Sequence, residues 1–77
     1  MNPIRFSRSA RRHRIGKRRA RYVMEHSEPQ LVPKGKYPDD QYVWIARDDR
    51  GLELEVVAVV KPDVLLVIHV MPTNLRG

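Results

Sequence analysis

The stretch Gly51-Leu-Glu-Leu-Glu-Val-Val-Ala-Val-Val60, followed by Lys61-Pro62-Asp63 and Val64-Leu-Leu-Val-Ile-His-Val-Met-Pro72, decides the fold. Two runs of about ten residues, rich in Val, Ile and Leu and parted by a Pro-Asp turn, are the signal of an antiparallel hairpin. No other part of the chain has enough apolar sequence to form the centre of a sheet. Glu53, Glu55 and His69 are the polar residues that interrupt the two runs, and each is either a solvent-facing decoration or part of a site.

Upstream of the hairpin, Tyr42-Val-Trp-Ile-Ala-Arg47 reads as a third strand on its aromatic and β-branched content. Asp48-Asp49-Arg50-Gly51 reads as a type I turn with glycine in the left-handed position. Gln30-Leu31-Val32 is long enough for a short edge strand. The segment from Pro33 to Asp40, with two prolines and a glycine, reads as a loop. Tyr42 and Trp44 could stack on bases, but two aromatics alternating along a strand read better as core.

Toward the N-terminus, Ser7 is placed to cap a short first helix, with Phe6, Ala10 and His13 on one face. Gly16 breaks that helix, and a second runs from Lys17 to about His26, ended by Pro29. Ala20, Tyr22, Val23 and Met24 form its apolar arc with Ile15, while Lys17, Arg18 and Arg21 take the other side. Arg19 falls inside the arc, where its stem can lie on the core with the guanidinium at the edge. The expected fold class is α+β: two N-terminal helices packed on a three- to four-stranded antiparallel sheet, one domain over residues 1–77.

Seventy-seven residues support one modest core, and with no cysteine the chain has no disulfide to reinforce it. A partner chain is the expected extra support, either a different protein or a second copy in a homodimer. Neither a secretory leader nor an uninterrupted apolar run of about 18 residues is visible, which fits a soluble cytoplasmic protein. The net charge of +6 is uneven: residues 1–24 hold nine Lys or Arg and no acid, whereas residues 25–77 hold six against nine acids. A basic third on a mildly acidic body points to a polyanion, either nucleic acid or an acidic protein. Arg8, Arg11, Arg12, Arg14, Lys17, Arg18 and Arg21 are the candidate nucleic-acid contacts. Charge alone does not separate RNA from DNA or from an acidic partner.

Register decides which residues share a site. A three-residue loop after Asp48 sets Arg47 opposite Glu53 and Ile45 opposite Glu55. A three-residue loop at Lys61-Pro62-Asp63 sets Glu55 opposite His69 and Glu53 opposite Met71. Leu52, Leu54, Val56 and Ala58 then face the helices with Val64, Leu66, Ile68 and Val70. Glu55 and His69, with Arg47 and Arg76 near, are what phosphodiester cleavage needs: groups that move protons, and guanidiniums that neutralise the phosphate. The plainer reading is a cross-strand ion pair contributing about 0.2–1 kcal/mol. For His13, the spacing favours a satisfied, half-buried histidine. No Gly-rich phosphate loop, Ser/His/Asp triad or metal-ligand cluster is present, so no cofactor or metal is expected.

The opening Phe6-Ser-Arg-Ser-Ala-Arg-Arg12, the Ile15-Gly16 start and Pro29 end of the helical stretch, the Asp49-Arg-Gly-Leu-Glu-Leu-Glu-Val56 hairpin and the closing Val67-Ile-His-Val-Met-Pro-Thr-Asn-Leu-Arg76 resemble the BrnT-like branch of the RelE/ParE toxin superfamily. The resemblance implies a helical N-terminus on a curved antiparallel sheet, a cytoplasmic bacterial setting, a cognate antitoxin and, for many relatives, ribonuclease activity. His69 and Arg76 are the site residues it carries over. Relatives often have histidine where this chain has Ser9. The expectation is a toxin acting as a metal-independent endoribonuclease. Its rivals are a non-catalytic RNA-binding or ribosome-associated protein and a pure interaction module.

Overall fold

A computed structural model describes residues 3–33 and 38–75. Strand β1 (Ile4–Phe6) leads into a single 3-10 turn (Ser9–Arg11), then helix α1 (Lys17–Glu25). Four strands follow, β2 (Gln30–Val32), β3 (Gln41–Arg47), β4 (Glu53–Val60) and β5 (Leu65–Pro72), and a second 3-10 turn (Thr73–Leu75) ends the described chain. The strands form one sheet in the order β1-β5-β4-β3-β2. Neighbours from β5 to β2 are antiparallel, and β1 lies parallel to β5.

Two parts of the expected fold are corrected. The first N-terminal helix is only a three-residue 3-10 turn, so the chain is one helix on a sheet rather than two. The sheet has five strands and is mixed, not three or four in antiparallel order. Both differences have one cause. Ile4, Arg5 and Phe6 take up the free edge of β5 opposite Leu65, Leu66 and Val67, which holds Phe6 extended just where a helix would start. The 3-10 turn has Arg8 rather than Ser7 at its N-cap, though the Ser7 hydroxyl accepts from the Ala10 amide at 3.3 Å. Arg14 then enters the left-handed region at φ 58° and Gly16 is extended, so the turn closes before a second can form.

Helix α1 lies against β3 and β4 and buries Ala20 and Val23. Under it the sheet presents Trp44, Leu54, Val56, Ala58, Val67 and Val70, and the 3-10 turn adds Ala10. Each fully buried Val or Leu in such a core stabilises the fold by about 1.5–3 kcal/mol relative to exposure. Trp44 belongs to this core, which settles its role as packing.

Arg19 does more than lie along the edge. Its Nε donates to Asp48 Oδ2 at 2.7 Å, and the Asp48 side chain is fully buried. The other Asp48 oxygen accepts from the Arg50 and Leu52 amides at 2.8 and 2.9 Å, so one carboxylate closes the β3–β4 turn and ties it to α1. Gly51 takes φ 82° there, a left-handed conformation that an L side chain rarely adopts.

Candidate functional site

The site is set by how β4 and β5 align. Around the β3–β4 turn the expected register holds: Arg47 faces Glu53, Ile45 faces Glu55, and Asp48 donates its amide to Leu52. Around the β4–β5 turn it does not. The connection is tighter than three residues, with Lys61 donating to Val64, and Val60, Val59 and Ala58 face Leu65, Leu66 and Val67. This alignment turns Val67 rather than Ile68 or Leu66 into the core. A bulge between Val57 and Ala58 on the β4 side then takes up one extra residue of β5, Ile68, and the pairing resumes with His69 opposite Val57 and Met71 opposite Glu55.

The bulge restores the alternation for the second half of β5. Val70 faces the helix side with Val56, while His69, Met71, Val57 and Glu55 share the other face. Glu55 and His69 are therefore diagonal rather than directly opposite, which is within reach of two long side chains. His69 Nε2 lies 3.3 Å from Glu55 Oε2. The nitrogen is itself buried and out of line for a hydrogen bond, although the His69 side chain as a whole remains 34% exposed. Glu55 is buried, an unusual position for a carboxylate, and its cross-strand neighbours are Ile45 and Met71.

The bulge also positions the N-terminal segment. Val67 offers its carbonyl to the Ser7 amide at 2.9 Å, and Ile68 offers its own to the Ser9 hydroxyl at 2.8 Å. The 3-10 turn is thereby pinned along β5 where β1 runs out. His13, just past that turn, comes to rest edge-on to His69 with ring centres 6.3 Å apart and planes at 80°. Sequence spacing placed His13 on a helical face with Phe6 and Ala10 and offered no signal for this contact, because the strand pairing that creates it spans nearly the whole chain.

The remaining candidates separate into groups. Arg47 is two strands away from His69, and its Nη1 donates to the Gly51 carbonyl at 2.8 Å. Arg76 lies outside the described residues. Arg8, Arg11, Arg12 and Arg14 surround the 3-10 turn beside β5, and all four are exposed. Lys17, Arg18 and Arg21 are exposed on α1, with Lys17 and Arg21 also lying over the Phe6 ring at 5.7 and 6.0 Å. The first turn of α1 has no acidic residue and no side-chain cap. Among the described residues no group of three or more His, Cys, Asp or Glu is close enough to hold a metal ion. No helix among them is long and apolar enough to cross a membrane.

Set against protein-family models, curated proteins and solved structures, the chain matches none of them. The functional reading therefore rests on the residues and their geometry, with the motif resemblance beside it.

Proposed function

We propose that this protein is an RNA-cleaving toxin of a bacterial toxin-antitoxin pair, a cytoplasmic endoribonuclease working without a metal. The observation that carries the chemistry is the buried Glu55 carboxylate 3.3 Å from a half-exposed His69, on the sheet face that α1 leaves open. In the working site the His69 ring would turn its Nε2–H onto Oε2, which lies 3.3 Å away. That fixes the tautomer and leaves Nδ1 as the atom that takes a proton, the same division of labour by which a carboxylate orients a catalytic imidazole elsewhere. The exposed arginines of the 3-10 turn, anchored on the same strand as His69, supply the cationic surface for the phosphate backbone. This assigns phosphate binding beside His69 to Arg8, Arg11, Arg12 and Arg14 in preference to Arg47, whose guanidinium is engaged at the β3–β4 turn. The toxin setting and the antitoxin partner follow from the motif resemblance.

The test is cleavage of a labelled RNA, with and without ribosomes and in the presence of EDTA. His69→Gln keeps the fold and most RNA affinity, since glutamine still hydrogen-bonds but does not titrate near neutrality. Cleavage falls by about 10²-fold or more, the usual loss for a general acid or base. Growth arrest on expression, relieved by a protein encoded in an adjacent reading frame, tests the toxin setting. Wild-type protein that binds RNA and never cuts it would establish the binding-module reading instead.

A further inference from the structure

Cleavage of RNA by its own 2'-hydroxyl needs two proton transfers, one from the attacking hydroxyl and one to the departing 5'-oxygen. Glu55 and His69 account for the first and leave the second without a donor. Resting on the ribonuclease reading above, we infer that His13 is the general acid of the reaction, the partner of His69 across the scissile phosphate.

Three observations place it there. The rings of His13 and His69 are in edge contact with centres 6.3 Å apart. That is short enough for one phosphodiester to hydrogen-bond to both rings, given donor-acceptor distances of about 2.6–3.2 Å on each side. Only His69 has the Glu55 carboxylate beside it, so the two imidazoles are chemically unequal and the carboxylate-oriented one is the base. The segment carrying His13 is fixed independently of either ring, through Ser9 Oγ on the Ile68 carbonyl and the Ser7 amide on the Val67 carbonyl. A ring that merely filled space at the end of a turn would not need two anchors to the bulge that also orients its neighbour.

The step balances without any further reagent. His69 Nδ1 removes the proton from the 2'-hydroxyl as its oxygen bonds to phosphorus. The bond from phosphorus to the 5'-oxygen breaks, and the proton on His13 passes to that oxygen. The products are a 2',3'-cyclic phosphate and a free 5'-hydroxyl, and water returns both rings to their starting states.

A sulfur substitution reads the second transfer directly. An RNA cut by the wild-type protein is compared with the same RNA carrying sulfur in place of the bridging 5'-oxygen at the cut site, because a thiolate departs without needing a proton. His13→Gln is expected to cut the ordinary RNA about 10²-fold more slowly or worse, yet to cut the sulfur RNA within a few-fold of wild type. His69→Gln is expected to be slow on both. Circular dichroism and thermal melting confirm the fold of each variant, and His13→Asn replaces His13→Gln if the longer amide disturbs the turn. Equal loss on both substrates, or wild-type speed on the ordinary RNA, would overturn the role of His13 while leaving the ribonuclease intact. A wild-type protein that cuts neither RNA overturns both readings together.

Discussion

Among the described residues, Arg14 is the non-glycine residue held at a positive φ. Its φ of 58° costs a non-glycine residue roughly 1–2 kcal/mol, and such strain persists where something else gains from it. Here the left-handed kink ends the 3-10 turn, leads the chain toward α1 and leaves Arg14 exposed, like Arg8, Arg11 and Arg12. Arg14→Gly should therefore raise stability by a few tenths to about 1 kcal/mol, part of the gain being offset by the freer unfolded chain. The same variant should bind RNA more weakly. Denaturant unfolding and a filter-binding titration on one preparation check both signs, and a variant that loses stability would show that the strain is absent. At this scale the sequence was partly readable. Glu55 and His69 were identifiable as two titratable groups in otherwise apolar strands, and Arg19 as a charge on the wrong side of a helix. The partner of Arg19 was not, since Asp48 looked like an ordinary turn aspartate. Val57 shows the converse. It lies in a central strand yet faces the open side opposite His69, while its neighbour Val56 is fully buried.

Elements were legible where their signal is local. Helix α1 begins at Lys17 just after Gly16 and ends at Glu25, a few residues before Pro29, and β2, β3 and β4 lie where β-branched runs and turn residues place them. What escaped depends on distant pairing. Strand β1 has only three residues, too few for periodicity to register, and it exists because β5 has an edge to fill. The β4–β5 register failed for a subtler reason, as the tight turn reversed the expected facing and the bulge at Ile68 reversed it back. The join between α1 and the β3–β4 turn yields a stability prediction. Burial, the largest influence on Asp48, pushes its carboxyl up. The Leu52 amide, the Arg19 hydrogen bond, the Arg50 amide and the Arg19 charge together outweigh it and bring the group below its ordinary value. A depressed native-state value means that this contribution to stability is fully present above the unfolded-state aspartate range. It is lost as pH falls toward the native-state value. Arg19→Met leaves a buried carboxylate without its cation and should cost about 3–5 kcal/mol near neutrality. Because protonation relieves that isolated charge, the penalty should shrink on acidification. Urea unfolding of both proteins across the acid range measures this, and a penalty that stays constant with pH would contradict the assignment.

Across the whole molecule, charge and topology work on the same segment. The arginines of the 3-10 turn and α1 give the domain one strongly basic region on a body that is otherwise slightly acidic. Replacing Arg11, Arg12 and Arg18 together with Gln should weaken RNA binding and flatten the dependence of log K on log salt, by roughly 0.7 in slope for each phosphate of a single strand that is no longer neutralised. An unchanged slope would place the binding surface elsewhere. The parallel pairing of β1 with β5 has a consequence in time. A ribosome delivers Ile4, Arg5 and Phe6 about sixty residues before Leu65, Leu66 and Val67, so the first strand emerges with no edge to join. Until β5 follows, the bulge that anchors Ser7 and Ser9 does not exist, and His13 has no His69 beside it. A nascent chain that has emerged only as far as β4 thus carries its basic segment without the contact between the two rings. On the ribonuclease reading proposed above, the two rings come together only once β5 is made, so a chain still short of β5 would lack the cutting site.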